Sequence, residues 1–234
     1  MIRLPIRHWV FIVVSGWMIL APLDTLVEGA DWDSPLQRLE TLLEAGEYKR
    51  AVKRARKVRA RIVADISEAG ESTRPAAETL VIQAVAEANL GRDHDALWHW
   101  YLAQSYLPGL PELDLQSMGR AAELLQGRAV EDLPPEVAVA PAAEDSRYRE
   151  VKIRGTHAPS YPKSLAKSGR EGVARIRFLI DDQGRQSRPV VVDGGFVPTM
   201  AFPVAESLRR WRFAPAEEDG EPLHVWYELD VRYR

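Results

Sequence analysis

The feature that most constrains this chain is a change of hydrophobic period along its length. In the first half apolar side chains recur at every third or fourth position: Leu36, Leu39, Leu42 and Leu43, then Tyr48, Ala51, Val52, Ala55, Val58, Ile62 and Ile66. In the last third they alternate. Ala174, Ile176, Phe178 and Ile180 are separated by Arg175, Arg177 and Leu179, and Val225, Tyr227, Leu229, Val231 and Tyr233 by Trp226, Glu228, Asp230 and Arg232. A period of 3.6 gathers apolar groups on one face of a helix, and a period of 2 gathers them on one face of a strand. Between the two regimes residues 133–145 read LPPEVAVAPAAED. Proline, alanine and acid without a period mark a linker. The expected fold is therefore α+β. A signal or anchor segment (1–30) leads into an all-α region of helix pairs (31–130), an acidic Pro/Ala linker (131–150) and a C-terminal three-stranded antiparallel sheet with two helices (151–234).

The N-terminus reads as an address. Arg3 and Arg7 precede an apolar run over 9–23, and acids follow at Asp24, Glu28, Asp31 and Asp33. With small residues at Gly29 and Ala30, this is the pattern of a secretory signal peptide. The run is shorter than the ~20 apolar residues of a spanning helix, and Pro22 disfavours cleavage next to Ala21. A cleaved signal, an uncleaved single-span anchor and a buried soluble helix are the three readings. The first two keep the basic flank inside and put the rest of the chain outside the cytoplasm. The expected location is the periplasm, either free or held at the inner membrane by the N-terminal segment. The chain has no cysteine, which excludes disulfides, thiolate metal sites, cysteine nucleophiles and a lipid-attachment cysteine.

Ser34 and Pro35 open the first helix, and Gly46 interrupts the pattern, so 34–66 reads as an antiparallel helix pair. Lys49, Arg50, Lys53, Arg54, Arg56, Lys57 and Arg61 lie off the apolar stripe. They read as a solvated helix face, with an anionic lipid or an acidic partner surface as the alternative. Leu43, Gly46, Tyr48 and Ala51 are echoed by Leu90, Gly91 and Ala96, the alanine following its glycine by five in both copies. This resembles tetratricopeptide-type helix pairs. The glycines are 91 − 46 = 45 residues apart against a usual period of about 34, so the repeat is degenerate. Trp98, Tyr101, Leu102 and Tyr106 continue an aromatic stripe, Pro108, Gly109 and Pro111 break the chain, and one further helix is expected over 113–125.

In the C-terminal third a short helix over 162–168 ends at Gly169. Asp181, Asp182, Gln183 and Gly184 make a hairpin turn in which glycine supplies positive φ. A returning strand over 190–193 ends at Gly194 and Gly195. A helix over about 200–211 turns Phe202, Ala205, Leu208 and Trp211 inward, and residues 217–221 form a second turn. Taken in order, Tyr161-Pro162, Glu171-Gly172-Val173, Ile180-Asp181-Asp182-x-Gly184, Trp211-Arg212-Phe213-x-Pro215 and Gly220-x-Pro222 resemble the TonB C-terminal domain family. No single element is specific; the ordered set is. Met200-Ala201 replaces the family's usual Leu-Asp, and Pro203 falls inside the helix. Gly172, Gly184, Trp211, Phe213 and Pro215 read as fold residues: glycines where a strand starts and turns, aromatics at the helix exit against the sheet, and a proline that stops the helix.

The resemblance implies a periplasmic protein-binding domain whose free sheet edge pairs with an extended segment of an outer-membrane receptor or another envelope protein. Main-chain bonds supply affinity and alternate side chains selectivity. Tyr161 and Pro162 would flank that groove. His224, Trp226 and Glu228 lie on one face of the last strand, 223–233, and Trp226, without a core role in the pattern, is expected to contact a partner or a covering segment. A homodimer is a further reading. Members that couple to motor proteins carry a serine and a histidine one helical turn apart in the membrane segment. Here Ser15 has no such partner, His8 sits in the basic flank and the spacer is short. Two readings follow: a module of TonB-dependent transport, or an envelope scaffold that uses tetratricopeptide-like helices and the TonB-like domain without energy coupling.

Catalytic chemistry finds no constellation. Net charge is −3, which points to no nucleic acid. His94 and His99 are five apart and do not share a helix face, so the histidines, with His8, His157 and His224, read as surface or boundary residues rather than zinc ligands. Asp181, Asp182 and the acids of 217–219 are explained by turns, and no serine sits in a nucleophile elbow. The expectation is a non-enzyme with no cofactor and no metal.

Overall fold

In the computed structural model the described residues are 32–64, 74–130, 147–160, 171–192 and 201–233. Two left-handed glycines organise the first half. Gly46 and Gly91 have φ of +69° and +72°, a conformation that costs glycine nothing and other residues about 1 kcal/mol. They turn α1 (Asp33–Glu44) into α2 (Tyr48–Ala64) and α3 (Arg74–Asn89) into α4 (Asp93–Gln104). Ala51 and Ala96, five residues after each glycine, are fully buried. The pair expected over 34–66 is α1 with α2. Helix α3 lies between α2 and α4 and is buried almost all round, from Ala76 to Ala88, so it shows no amphipathic period.

The helix expected over 113–125 is a 3₁₀ turn at Leu110–Glu112, an irregular stretch and a short α5 (Arg120–Leu125). Side chains take over the backbone groups that a continuous helix would pair. Asn89 donates to the Met118 carbonyl (2.9 Å) and accepts from the Arg120 N–H (3.0 Å). Gln126 donates to the Leu113 carbonyl (2.9 Å) and accepts from the Leu115 N–H (2.7 Å). Such bonds compete with the helical ladder.

The second half contains β1 (Lys152–Gly155), β2 (Gly172–Ile180), β3 (Gln186–Val192), α6 (Ala201–Leu208), β4 (Arg212–Ala214), β5 (Ala216–Glu218), β6 (Glu221–Leu223) and β7 (Val225–Tyr233). The main sheet has the order β3-β2-β7, antiparallel throughout, so the expected α+β class and three-stranded sheet stand. Two small ribbons, β1–β4 and β5–β6, were not anticipated. They correct the reading of Pro215: α6 ends at Leu208, Phe213 already lies in β4, and Pro215 sits between β4 and β5 rather than stopping a helix. Residues 147–150 of the expected linker are held in place, because Arg149 and Glu217 exchange two backbone bonds (2.7 and 3.0 Å). The apolar run, the rest of the linker, Tyr161, Pro162, the helix over 162–168, Gly194 and Gly195 lie outside the described residues. No helix among the described residues is long and apolar enough to cross a membrane.

Apolar packing is continuous between the halves. Phe202 of α6 meets Tyr106, just beyond α4, with ring centroids 4.9 Å apart. Under the sheet Phe178, Phe213 and Tyr227 pack mutually at 5.5–6.1 Å.

Candidate functional site

The two edges of the main sheet differ. On the β3 side a bulge places two residues, Arg188 and Pro189, opposite the single Phe178, with Arg188 at φ +50°. A bulge bends a strand and re-aims its side chains. Arg188 is aimed at the helical half, its guanidinium 5.0 Å from the Tyr101 ring and 3.4 Å from the carbonyls of Ala129 and Val130. The Val191 N–H donates to Ser105 Oγ (2.9 Å), and His94 Nε2 stands 3.0 Å from the Gln186 carbonyl. Helix α4 thus covers this edge.

On the other side β7 pairs with β2 over nine consecutive positions, Gly172 opposite Tyr233 through Ile180 opposite Val225. Among the described residues no other backbone bond reaches Val225–Tyr233. A strand rises about 3.4 Å per residue, so this is a nine-residue run of N–H and C=O groups roughly 30 Å long with one side unpaired. Tyr227 points into the core. On the opposite face Trp226 stacks under the Arg177 guanidinium (5.2 Å to the ring centroid), and Arg175 holds Asp230 through two bonds of 2.6 and 2.9 Å and Glu228 at 3.3 Å. Trp226 is thus half-buried on the face away from the core, with a cation over its ring. His224, also half-buried, falls between β6 and β7. His224, Trp226 and Glu228 lie along the open edge; Tyr161 and Pro162 are not described.

The fold residues explain one another. Gly184 has φ +73°, and a Cβ there would stand 2.3 Å from the Phe213 carbonyl oxygen and 3.6 Å from Pro215 Cδ. The hairpin glycine and the Trp-x-Phe-x-Pro segment are thus one packing unit. Trp211 is 7 % exposed and donates from Nε1 to the His157 carbonyl (2.9 Å). Asp181 Oδ1 closes the hairpin by accepting from the N–H of Gln183 and of Arg185. Gly172 begins β2 opposite Tyr233.

Sequence reasoning missed a polar network between the halves. His99 is not a surface residue; it is fully buried, with Nδ1 2.6 Å from Glu87 Oε2 and Nε2 2.9 Å from Glu206 Oε1. Arg59, also buried, donates to Gln83 and to Glu206 (both 2.8 Å), and Gln83 donates to Glu87 (2.8 Å). Arg209 joins Glu206 (3.3 Å) and Asp95. Burial alone would push the Glu87 carboxyl up, but the bond and charge of His99 with the Gln83 bond hold it below the usual range. Burial of Glu206 is likewise outweighed by Arg59, His99 and Arg209, and its carboxyl is held well below the ordinary value. Burial pulls the Arg59 guanidinium down against the pull of Glu206 and Glu87. Arg59 was detectable: on a helical projection it falls on the apolar arc with Val52, Ala55 and Ile62. A cleft of about 680 Å³ opens beside this network, lined among others by Arg56, His94, Phe202 and Arg210.

The main sheet thus has one edge covered by α4 and the other unpaired among the described residues. The family of Gram-negative bacterial TonB protein C-terminal domains matches residues 157–234, and this part of the chain is a TonB C-terminal domain, a protein-interaction module of the TonB type. Protein TonB of Vibrio cholerae serotype O1 is 25 % identical over 76 residues, which are 32 % of this chain and 31 % of that protein. The chain thus spans about a third of the length of the curated relative it matches. A solution NMR structure of the Pseudomonas aeruginosa TonB CTD aligns at 21 % identity with a TM-score of 0.30, covering 36 % of this chain and 88 % of that one. The helical half lies outside the family match.

Proposed function

We propose that this protein is an exported, non-enzymatic adaptor of the cell envelope that captures an extended segment of a partner protein along the outward edge of β7. One observation carries the reading: β7 has a free backbone edge among the described residues, while the β3 edge is covered by α4. Backbone pairing to that edge supplies the affinity, and Trp226, His224 and Glu228 select the segment. A plug segment of an outer-membrane receptor is the partner this domain type suggests, which would place the chain in TonB-dependent transport. The rival reading, a scaffold without energy coupling, draws support from Ser15, which lacks a histidine one helical turn away, and from the short linker.

Proline scanning tests the mechanism. Proline removes one donor and blocks pairing. Alternate residues of a strand bond to opposite sides, so substitutions within 224–230 should alternate between folded proteins that no longer bind and proteins that do not fold. Trp226→Ala should weaken binding by about 1–2 kcal/mol. The readout is NMR titration with receptor plug segments; folded proline variants that bind like the parent would remove the edge from consideration.

A further inference from the structure

Helix α2 carries eight Lys or Arg and no acid in 17 residues. Arg59 turns inward and Arg56 reaches Glu87. The other six, Lys49, Arg50, Lys53, Arg54, Lys57 and Arg61, are all exposed. At 100° per residue they fall on one arc about 140° wide, in which Ala60 is the remaining exposed residue. Ala51, Val52, Ala55, Val58 and Ile62 fill the opposite arc and the core. Arg50 has a carboxylate partner in Glu47, and Arg61 lies 5.8 Å over the Trp32 ring. Lys49, Lys53, Arg54 and Lys57 have none among the described residues.

A helix face that serves only solubility gains from mixed signs. This one does the reverse. Lys49, Lys53 and Lys57 repeat at four, as do Arg50 with Arg54 and Lys57 with Arg61, and like charges at that spacing destabilise a helix. Lys49 and Arg50 also oppose the dipole at the first turn. An external layer of negative charge would relieve both. The face has no aromatic or aliphatic anchor such as a protein interface uses; Ile153, on β1, is the exposed large hydrophobic residue among those described. A straight, anchor-free strip of cations about 18 Å long matches a flat, repetitive array of anions. Arg61 and Trp32 mark the end of α2 nearest the incoming chain, and the apolar run over 9–23 stops nine residues before Trp32, within about 30 Å of it.

We infer that the exposed face of α2 rests on the headgroups of an anionic phospholipid bilayer, independently of the β7 edge. The test is sedimentation of the full-length protein with phosphatidylglycerol-containing vesicles against pure phosphatidylcholine vesicles. The apolar run acts on both vesicle types, so comparing variants isolates α2. A cation near an anionic membrane is worth about fivefold in binding. Lys53→Gln with Lys57→Gln should therefore weaken binding to the anionic vesicles about 25-fold, and Lys49→Gln with Arg54→Gln similarly. The same neutralisation on β1, Lys152→Gln with Arg154→Gln, should leave binding unchanged. The parent's preference for the anionic over the phosphatidylcholine vesicles should disappear near 1 M salt, where the Debye length is about 3 Å. The α2 substitutions relieve repulsion at exposed positions, so circular dichroism should show folded variants. The inference is overturned if both α2 pairs bind anionic vesicles like the parent, if the parent does not distinguish the two lipids, or if it binds only an acidic polypeptide.

Discussion

Glu206→Gln would weaken the join between the helical half and the sheet. The substitution keeps the volume of α6 but removes the charge that faces Arg59 and His99. Arg59 is left with 6 % of its side chain exposed and Gln83 as its neutral partner. Breaking a buried pair costs about 3–5 kcal/mol; Glu206 keeps 32 % of its side-chain surface, and solvent screening reduces the figure to about 2 kcal/mol. Glu87→Gln, where carboxylate and imidazole are both at 0 %, disturbs the buried bonds with His99 and Gln83 and should cost about 1–3 kcal/mol. Replacing both partners by apolar groups, Arg59→Met with Glu206→Leu, should recover part of that loss, because the buried Arg59 charge is no longer stranded, although Gln83 and His99 each lose a partner. Urea unfolding followed by tryptophan fluorescence reports on α4 through Trp98 and Trp100 and on the sheet through Trp211. The sign with pH follows from the lowered carboxyls. Glu87 and Glu206 titrate lower folded than unfolded, so their contribution is complete above the ordinary glutamate value of about 4.3 and is lost as pH falls through the folded values. The parent should lose more stability than Glu206→Gln between neutral pH and about 3. A cost of Glu206→Gln below about 0.5 kcal/mol would refute the network as the join.

Three further outcomes follow from the packing. Trp211→Ala removes a buried ring and its bond to His157 and should cost about 3–5 kcal/mol in the same assay; a loss under about 1 kcal/mol would mean the ring contributes little to the sheet. Gly184→Ala should cost more than about 2 kcal/mol, from left-handed backbone strain plus a Cβ driven into Phe213, whereas Gly46→Ala, with nothing within 4 Å, should cost only about 1 kcal/mol; equal losses would discount the contact. A glutamate-specific protease can cut at Glu131, Glu136 and Glu144, and the two fragments should co-elute on native gel filtration because α4, β3 and α6 still join them; separation would show two independent domains.

Much of the fold was legible because local patterns carry local structure. The alternation of 174–180 and 225–233 is that of β2 and β7, and the glycines at 46, 91, 184 and 220 stand where φ is positive, because a left-handed turn depends on its own residue and immediate neighbours. The edge position of β7 was also readable from the order of strands and turns. What the tertiary structure decided depends on residues far apart. Helix α3 lacks a period because neighbours enclose it, and 113–120 fails to become helix because Asn89 and Gln126 supply rival bonds. Pro215 changes role because Gly184 brings the hairpin against it. Arg59 and Glu206 are 147 positions apart, and nothing near either names the other. A charge in water needs no specific partner, but one moved into the interior needs a counter-charge and hydrogen bonds, and only the docking of α6 against the helical half determines which side chains provide them.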